Sequence, residues 1–385
     1  MKKYSFITIL SLLNKTLLAL AMVCLVSACD SQIYDYEEDC GPTEQPGNPN
    51  NPNNPKPDDP KPDDPGTPDN FRPVYLVEYV FDMNMQFVDA FSQRVNSVDL
   101  YVFTTSGSFV NRYHAEGMAL KAKDYRMELT DLPAGRYELI AWCGLTDNSG
   151  HFSVPSDGEI SQRYQVTATM ATSTDAGVLY QNQNLHALFH GRLETATYTT
   201  DPVEQVYTIF LTKDTNNINL SLQHKDGLEF EKDRFTVAMI DNNQVMRFDN
   251  SVPAENPDVE YRPYRTAIGT VSIDKSSAST RASGSATVGN FLQVELATAR
   301  LMTNHNPIIT VTDNETGKII FSIPLVTWAL KLRSENYKNI EEQEYLDRED
   351  NFNLMLWLDN DDQGWFGAQL HINDWHVIDD ENDLK

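Results

Sequence analysis

Basic charge is scarce in this chain. Only 30 Lys and Arg residues stand against 56 Asp and Glu, for a formal net charge of −26. Such a surface repels phosphate backbones, which excludes nucleic acid as a partner. It repels anionic headgroups too, so membrane attachment cannot rest on charge. Cysteine is scarcer still, with four in 385 residues. Beyond the N-terminus there is no run of the ~18 consecutive apolar residues that a membrane span requires. Complete catalytic or ligand sets are missing as well. His186-Ala187-Leu188-Phe189-His190 spaces two histidines four apart, but no glutamate follows the first as a zinc protease needs. Asp359-Asn360-Asp361-Asp362-Gln363-Gly364 opens like a calcium loop, yet Leu370 stands where the bidentate acid belongs. It reads better as an acidic hairpin turn. Ser106-Gly107-Ser108 and Gly284 lack the context of a nucleophile elbow or a phosphate loop. The expectation is a protein without metal or cofactor, and not an enzyme.

What is there begins at the N-terminus. Lys2 and Lys3 precede an apolar stretch interrupted by Asn14-Lys15-Thr16. That stretch ends in Leu25-Val26-Ser27-Ala28-Cys29. Small residues before a cysteine suit a signal peptidase, and the thiol suits a lipid-attaching enzyme. The pattern predicts a lipoprotein signal over residues 1–28 and acylation of Cys29. Two or three acyl chains hold stably to a membrane where one is marginal. Cys24 leaves with the signal and Cys29 is taken by lipid. Cys40 and Cys143 are left over in an oxidising compartment, at a spacing that matches no metal motif. They are expected to form a disulfide. The alternative is two free thiols, with Cys143 buried in a strand.

Residues 29–70 read as a lipidated N-terminus followed by a linker. Gly47-Asn48-Pro49-Asn50-Asn51-Pro52 leads into two copies of Lys-Pro-Asp-Asp-Pro, Lys56–Pro60 and Lys61–Pro65. Proline at this density denies helix and ladder hydrogen bonds and favours extended geometry. Thirty such residues reach roughly 90 Å, enough to lift a folded body off a membrane. A Cys40–Cys143 bridge would fold the same segment back.

From Phe71 the pattern is β. Val74–Phe81, Val98–Phe103, Ser108–Tyr113 and Arg136–Trp142 are expected strands, with turns at Thr104–Gly107 and Leu132–Gly135. Ile218, Leu220 and Leu222 alternate with Asn219, Ser221 and Gln223. Leu292, Val294 and Leu296 alternate with Gln293 and Glu295. A period of two means one face buried and one wet. Ile308–Val311, Ile319–Ile323, Leu354–Leu358 and Gln369–Ile372 add further strands. Helical signal is thin: a short helix over Phe87–Val95, and one over Ser334–Arg348 with Ser334 as its cap. The expected fold is all-β, with two tandem β-sandwiches and few short helices. The polar stretch Thr195–Pro202 marks the joint, giving sandwiches over 71–200 and 201–385. Trp142, Trp328, Trp357, Trp365 and Trp375 are expected to fill cores rather than line a sugar-binding face.

These residues carry a resemblance. Tyr79-Val80-Phe81-Asp82-Met83-Asn84-Met85, Asp89-Ala90-Phe91 and Val98–Phe103 with Gly107 resemble the start of the FimB-like fimbrial anchor family. Leu132-Pro133-Ala134-Gly135-Arg136-Tyr137 running into Ala141-Trp142-Cys143-Gly144 is similar to it, as are Glu344–Glu349 and Ile372-Asn373-Asp374-Trp375. The resemblance covers nearly all of Tyr75–Leu384. Thr104 departs from it, standing where an acidic turn residue is common, and the proline-rich insertion after Cys40 is longer than its pattern. The resemblance implies two transthyretin-like sandwiches. It also implies an outer-membrane lipoprotein of Bacteroidota, holding the base of a type V fimbria whose subunits join by strand exchange.

The expected function is therefore a fimbrial anchor. Its partners are fimbrial shaft or accessory subunits, and the membrane through lipid on Cys29. Sheet completion would use an edge strand, with Val74–Phe81 and His371–Leu384 as candidates. A surface glycan-binding lipoprotein and a fimbrial tip adhesin are the alternatives.

Overall fold

In the computed structural model, residues 72–224, 229, 231–273, 287–358, 365–372 and 375–380 are described. In chain order the strands of the first half are β1 (Val74–Val80), β2 (Ser97–Thr104), β3 (Phe109–Glu116), β4 (Arg126–Glu128) and β5 (Gly135–Cys143). Four short strands follow, β6 (Phe152–Ser153), β7 (Ala168–Met170), β8 (Ser173–Asp175) and β9 (Val178–Gln181). Long strands come next: β10 (Phe189–Tyr198), β11 (Glu204–Lys213) and β12 (Thr215–His224). The second half continues with β13 (Phe235–Asp241), β14 (Val245–Met246), β15 (Val259–Tyr261), β16 (Arg265–Ile273) and β17 (Thr287–Ala299). It closes with β18 (Ile308–Asp313), β19 (Ile319–Pro324), β20 (Asn351–Leu358), β21 (Trp365–Ile372) and β22 (Trp375–Asp380). Among the described residues three α-helices interrupt them, α1 (Phe91–Arg94), α2 (Leu325–Asn336) and α3 (Glu342–Arg348), besides two short 3-10 turns.

The first sheet has the order β3-β2-β5-β10-β11-β1-β4. It folds over on itself at β11. Glu204–Phe210 run parallel to β1, whereas Leu211–Lys213 pair antiparallel with β10. One strand thus belongs to both layers, as corner strands in sandwiches do. Tyr75, Val77 and Tyr79 of β1 face Val98, Leu100 and Val102 of β2 and Leu139 and Ala141 of β5 across the enclosed core. Gly144 ends β5 in a left-handed conformation, φ +88°, where a Cβ would strike the Ala187 carbonyl.

The second sandwich faces β16-β17-β12-β20-β21-β22 against β19-β18-β13-β15-β9-β8. Register explains its core. Ile218 pairs with Leu296 on one side and Phe352 on the other; Leu220 pairs with Val294 and Leu354; Leu222 pairs with Leu292 and Leu356. Each of these points inward and each is buried. The wet face of the same strands carries polar partners: Asn219 Nδ2 donates to Asn353 Oδ1 at 2.9 Å, and Ser221 Oγ to Gln293 Oε1 at 2.6 Å.

Residues 145–188 leave the first sheet after β5 and join the second half. β7 pairs with β14, and β9 runs parallel to β15. The segment also covers the outer side of β2 and β5, so that Tyr101, Phe103, Ile140 and Trp142 belong to the second core. Glu138, 2% exposed, ties it down by accepting from Arg163 Nη1 and Arg192 Nε, both at 2.7 Å. From Thr67 onward the chain forms one unit.

The all-β expectation of two sandwiches with few short helices holds. Three details differ. The joint is not at 200/201, because β10 and β11 pair across that point and the first sheet continues to Lys213; Thr195–Pro202 spans their hairpin connection. The first short helix shrinks to Phe91–Arg94, because Asn84 and Asp89 bond backbone groups of the preceding loop instead. Ser334 is no cap: it lies inside α2, and the expected single helix is two, separated at residues 337–341.

Candidate functional site

A protein that joins its partner by sheet completion needs a free edge. Val74–Val80 is not one. β11 runs beside all of it, and β4 covers Leu76–Glu78 on the other side. Its alternation of inward Tyr75, Val77 and Tyr79 belongs to a strand held within the sheet, which corrects the expectation that the first strand is an edge. The second candidate fares differently. β22 pairs with β21 alone among the described strands, from Ile372↔Trp375 to Gly367↔Asp380. It is the outermost strand of its sheet, and it ends in Asp379 and Asp380, charges that discourage indiscriminate pairing. Of the segment His371–Leu384, residues 373–374 and 381–384 lie outside the described residues.

Some other edges are short or charged, whereas β16 (nine residues) and β19 (six residues) are neither. β4 and β8 have three residues each. β3 carries Arg112 and His114, both held by Asp99: Arg112 Nη2 and His114 Nδ1 each lie 2.7 Å from Asp99 Oδ1. β16 pairs with β17 over nine residues and presents its other side.

The second notable place is where the sandwiches meet. Asp214 is the only residue between β11 and β12. Beside it Asp350 Oδ2 accepts from Lys213 Nζ at 2.8 Å and Arg94 Nη2 at 2.9 Å. Burial pushes Asp350 up, but the two cations outweigh it and hold the carboxyl below its ordinary range. Burial lowers Lys213, against the pull of Asp350. Asp214 itself is fully buried. Burial lifts it to about 7, opposed by Arg300 and by Asn250, whose Nδ2 donates at 2.9 Å. Arg300 forks onto Asp347 at 2.9 and 2.6 Å. Arg348 of α3 donates to the carbonyls of Asp82 and Asn84, and its guanidinium sits 4.3 Å above the ring of Phe87. Arg94, Lys213, Asp347, Arg348 and Asp350 form an ionic clasp that lines a cleft of about 330 Å³. The adjacent charges Lys213-Asp214 between two apolar strands were the signal for it, and sequence reasoning passed over them.

The remaining candidate residues are dispersed. Cys29 and Cys40 lie outside the described residues. Among the described residues Cys143 has no disulfide partner, and the expected Cys40–Cys143 bridge rests on a residue outside them; Cys143 is fully buried in β5, and burial raises its thiol well above its ordinary value. His186 is exposed and lies parallel to His151, whereas His190 is buried in β10 with Nε2 2.9 Å from the Phe248 carbonyl. Burial lowers His190 to about 4. The two are not a ligand pair, and among the described residues no group of three or more His, Cys, Asp or Glu could hold a metal. Asp359–Gly364 lie outside the described residues. Trp142 and Trp328 are buried as expected. Trp357 is half-buried on the opposite face from Leu356 and Leu358, so it does not fill the core. Trp365 and Trp375 stand on β21 and β22. Among the described residues no helix is long and apolar enough to cross a membrane.

Residues 65–381 match the Mfa2 family, fimbrillin-A associated anchor proteins Mfa1 and Mfa2. The chain belongs to this family. Among solved structures, a candidate adhesin from Bacteroides thetaiotaomicron is similar, with a TM-score of 0.68 and 27% identity over 79% of this chain and 97% of its own. A candidate polysaccharide-binding protein from the same organism gives 0.65 and 26%, over 80% of this chain and 98% of its own. The fimbrial anchor protein Mfa2 from Porphyromonas gingivalis shares the fold, with a TM-score of 0.56 at 18% identity over 80% of this chain and 99% of its own. No curated protein matches. Family membership implies a fimbrial, cell-surface setting and a structural role, as anchor or adhesin.

Proposed function

We propose that this protein is an outer-membrane lipoprotein that anchors the base of a fimbria. The observation that carries the reading is the family match, which spans the folded body from residue 65 to residue 381. Cys29 supports it, preceded by Ser27 and Ala28 at the end of an apolar run. Acyl chains on that cysteine hold the base. The proline-rich segment sets the height of the body above the bilayer. A fimbrial subunit adds a strand at an open edge, and β22 is one such edge. Main-chain hydrogen bonds along a whole strand share a pulling load, which suits an anchor.

The test is Cys29→Ala. The change lies well before β1 and leaves the folded body alone. Cells carrying it should still assemble fimbriae but shed them into the medium, as counted by microscopy of bound and released filaments. Filaments that stay firmly attached would sink the anchor reading. The similarity to a candidate adhesin favours a second reading, a tip protein. That reading predicts attached filaments with altered binding in the same strain.

A further inference from the structure

A bare strand edge is a template for indiscriminate pairing, so folded proteins shorten such edges, charge them, bulge them or place proline on them. Most edges here are protected in this way. Among the described edges, β6 and β14 have two residues each, and β4 and β8 have three. β3 carries Arg112 and His114, and β22 ends in Asp379 and Asp380. β19 shifts register against β18 between Val311 and Thr312, and it ends in Pro324. β16 has none of these protections. Arg265–Ile273 pairs with β17 over nine residues in unbroken register, without a proline. Its one charge, Arg265, stands at the end of the strand and is taken by Glu295, Nη1 to Oε1 at 2.8 Å. Among the described strands none pairs with its other side.

The core is open at the same place. Ile268 stands opposite Leu292, and Leu292 opposite Leu222, so the three share the core-facing row. Leu222 and Leu292 are fully buried, whereas Ile268 is 38% exposed. Thr266 and Thr270 flank it on the same row, and Thr270 is exposed. β19 is also an edge, yet its core-facing Phe321 and Ile323 are buried. Its core row is closed without a further strand, and that of β16 is not. On the outer face Gly269 offers no side chain. The Phe291 ring of β17 lies so close over it that a Cβ would come within 2.3 Å of Phe291 Cζ. An aromatic laid over an edge glycine supports the strand without blocking its free side.

We propose that β16 is the acceptor edge for the fimbrial subunit, which lays an extended, uncharged segment beside Arg265–Ile273. The identity of the partner rests on the anchor reading; the choice of edge rests on the strand itself. A row of unpaired backbone groups calls for another backbone in extended conformation. The row of Thr266, Ile268 and Thr270 calls for alternation. Donor residues on that side are apolar and cover Ile268, while those beside Ala267 and Gly269 face water. With Arg265 already paired, the edge offers no charge to hold a charged segment. A second copy of this chain is a poor occupant, because each carries a net charge of −26 and the two repel.

The experiment places Ile268→Lys and Thr270→Lys, separately, in the full-length protein, with Ser322→Lys on β19 as the control edge. Ile268, Thr270 and Ser322 are all exposed. A lysine at either β16 position reaches water in the free protein and is trapped once a strand is added. Cell-bound filaments should fall by about tenfold or more in either β16 variant. The anchor should stay with the membrane fraction and be absent from the shed filaments. Cys29→Ala, by contrast, should release anchor and filaments together. Filaments that stay attached in Cys29→Ala overturn the anchor reading. Shedding in Cys29→Ala but in neither folded β16 variant overturns the choice of β16 alone, as does equal shedding in Ser322→Lys. Thermal melting checks the fold, and Thr270→Lys carries the test should Ile268→Lys not fold. Amide exchange on Cys29→Ser protein, free of lipid, checks that the edge is bare. About half the amides of Arg265–Ile273 should exchange fast, since alternate N–H groups of an edge strand point away from its partner. Protection of all of them means that this chain covers its own edge. A dimer that Thr270→Lys separates means that a second copy does. Either result overturns the proposal.

Discussion

Strands β5 and β20 occupy comparable places, each inside a sheet, yet they are built differently. In β5 every residue from Tyr137 to Cys143 is buried. Leu139, Ala141 and Cys143 enter the first core, while Ile140 and Trp142 enter the second. In β20 Phe352, Leu354, Leu356 and Leu358 are buried, and Asn353, Met355 and Trp357 between them are not. The difference comes from the segment 145–188, which lies over the outer side of β5. Nothing described lies over the outer side of β20. The halves are therefore coupled by apolar packing through the first sheet and by an ionic clasp at Lys213, Asp350 and Arg348. A doubly buried strand transmits strain between cores, because close-packed interiors do not deform smoothly.

The largest expected effect tests that coupling. Trp142 is fully buried, and its ring meets His190 edge-on at 4.7 Å. Trp142→Ala should destabilise by about 3–5 kcal/mol. In urea unfolding both halves should weaken together in one transition. Two separate transitions, with the second sandwich unchanged, would break the idea that β5 serves both cores.

A smaller effect concerns two carboxyls at the joint that respond to pH with opposite sign. Asp214 is raised by burial from 3.8 to about 7 in the folded protein. Its protonated form is favoured by folding, so its contribution is complete below pH 3.8 and is lost as pH rises towards 7. The slope approaches about 1.4 kcal/mol per pH unit between those values. Asp350 is lowered by Lys213 and Arg94 in spite of burial. Its contribution is present above the ordinary carboxylate value and is lost as pH falls through its folded one. Melting temperature against pH should show both arms. Asp214→Asn should flatten the decline on the neutral side and leave the acid arm. Asp350→Asn should do the reverse, and destabilise at neutral pH by leaving Lys213 without its partner. Identical profiles for wild type and Asp214→Asn would show that this carboxyl is ionised or solvated at the joint.

The same contrast explains what could be read in advance. Ile218, Leu220 and Leu222 announced a half-wet strand because Asn219 and Ser221 stand between them. Leu139–Trp142 announced a strand, but its second neighbour was hidden, since nothing local says that residues 145–188 will return to cover it. The joint was misplaced for a related reason. Thr195–Pro202 has the polarity of a linker, yet Tyr207 Oη bonds both the amide and the carbonyl of Thr197, and Gln205 does the same for Thr199. A polar hairpin and a polar linker look alike until the pairing is known. α2 was invisible because Ile319–Pro324 reads as strand and runs directly into Leu325, with no polar cap between them. Family membership was legible because the motifs that resemble the family follow one another along the chain.

The smallest effect belongs to the outer face of β12. Asn219 is half-buried, and its Nδ2 donates to Asn353 Oδ1 at 2.9 Å, one strand away. A single neutral hydrogen bond at such a site is worth about 1 kcal/mol or less. Asn219→Ala should therefore cost about 0.5–1 kcal/mol in urea unfolding, far below Trp142→Ala. Asn219→Val should come closer to neutral, because a β-branched side chain suits a pleated, half-exposed surface and offsets part of the loss. The pair of variants measures how wet this face is in the isolated protein. A cost for Asn219→Ala approaching that of Trp142→Ala, unrelieved by Val, would mean that the Asn219–Asn353 bond is shielded from water. The outer side of β20 would then be covered as β5 is, and the contrast between the two strands would disappear.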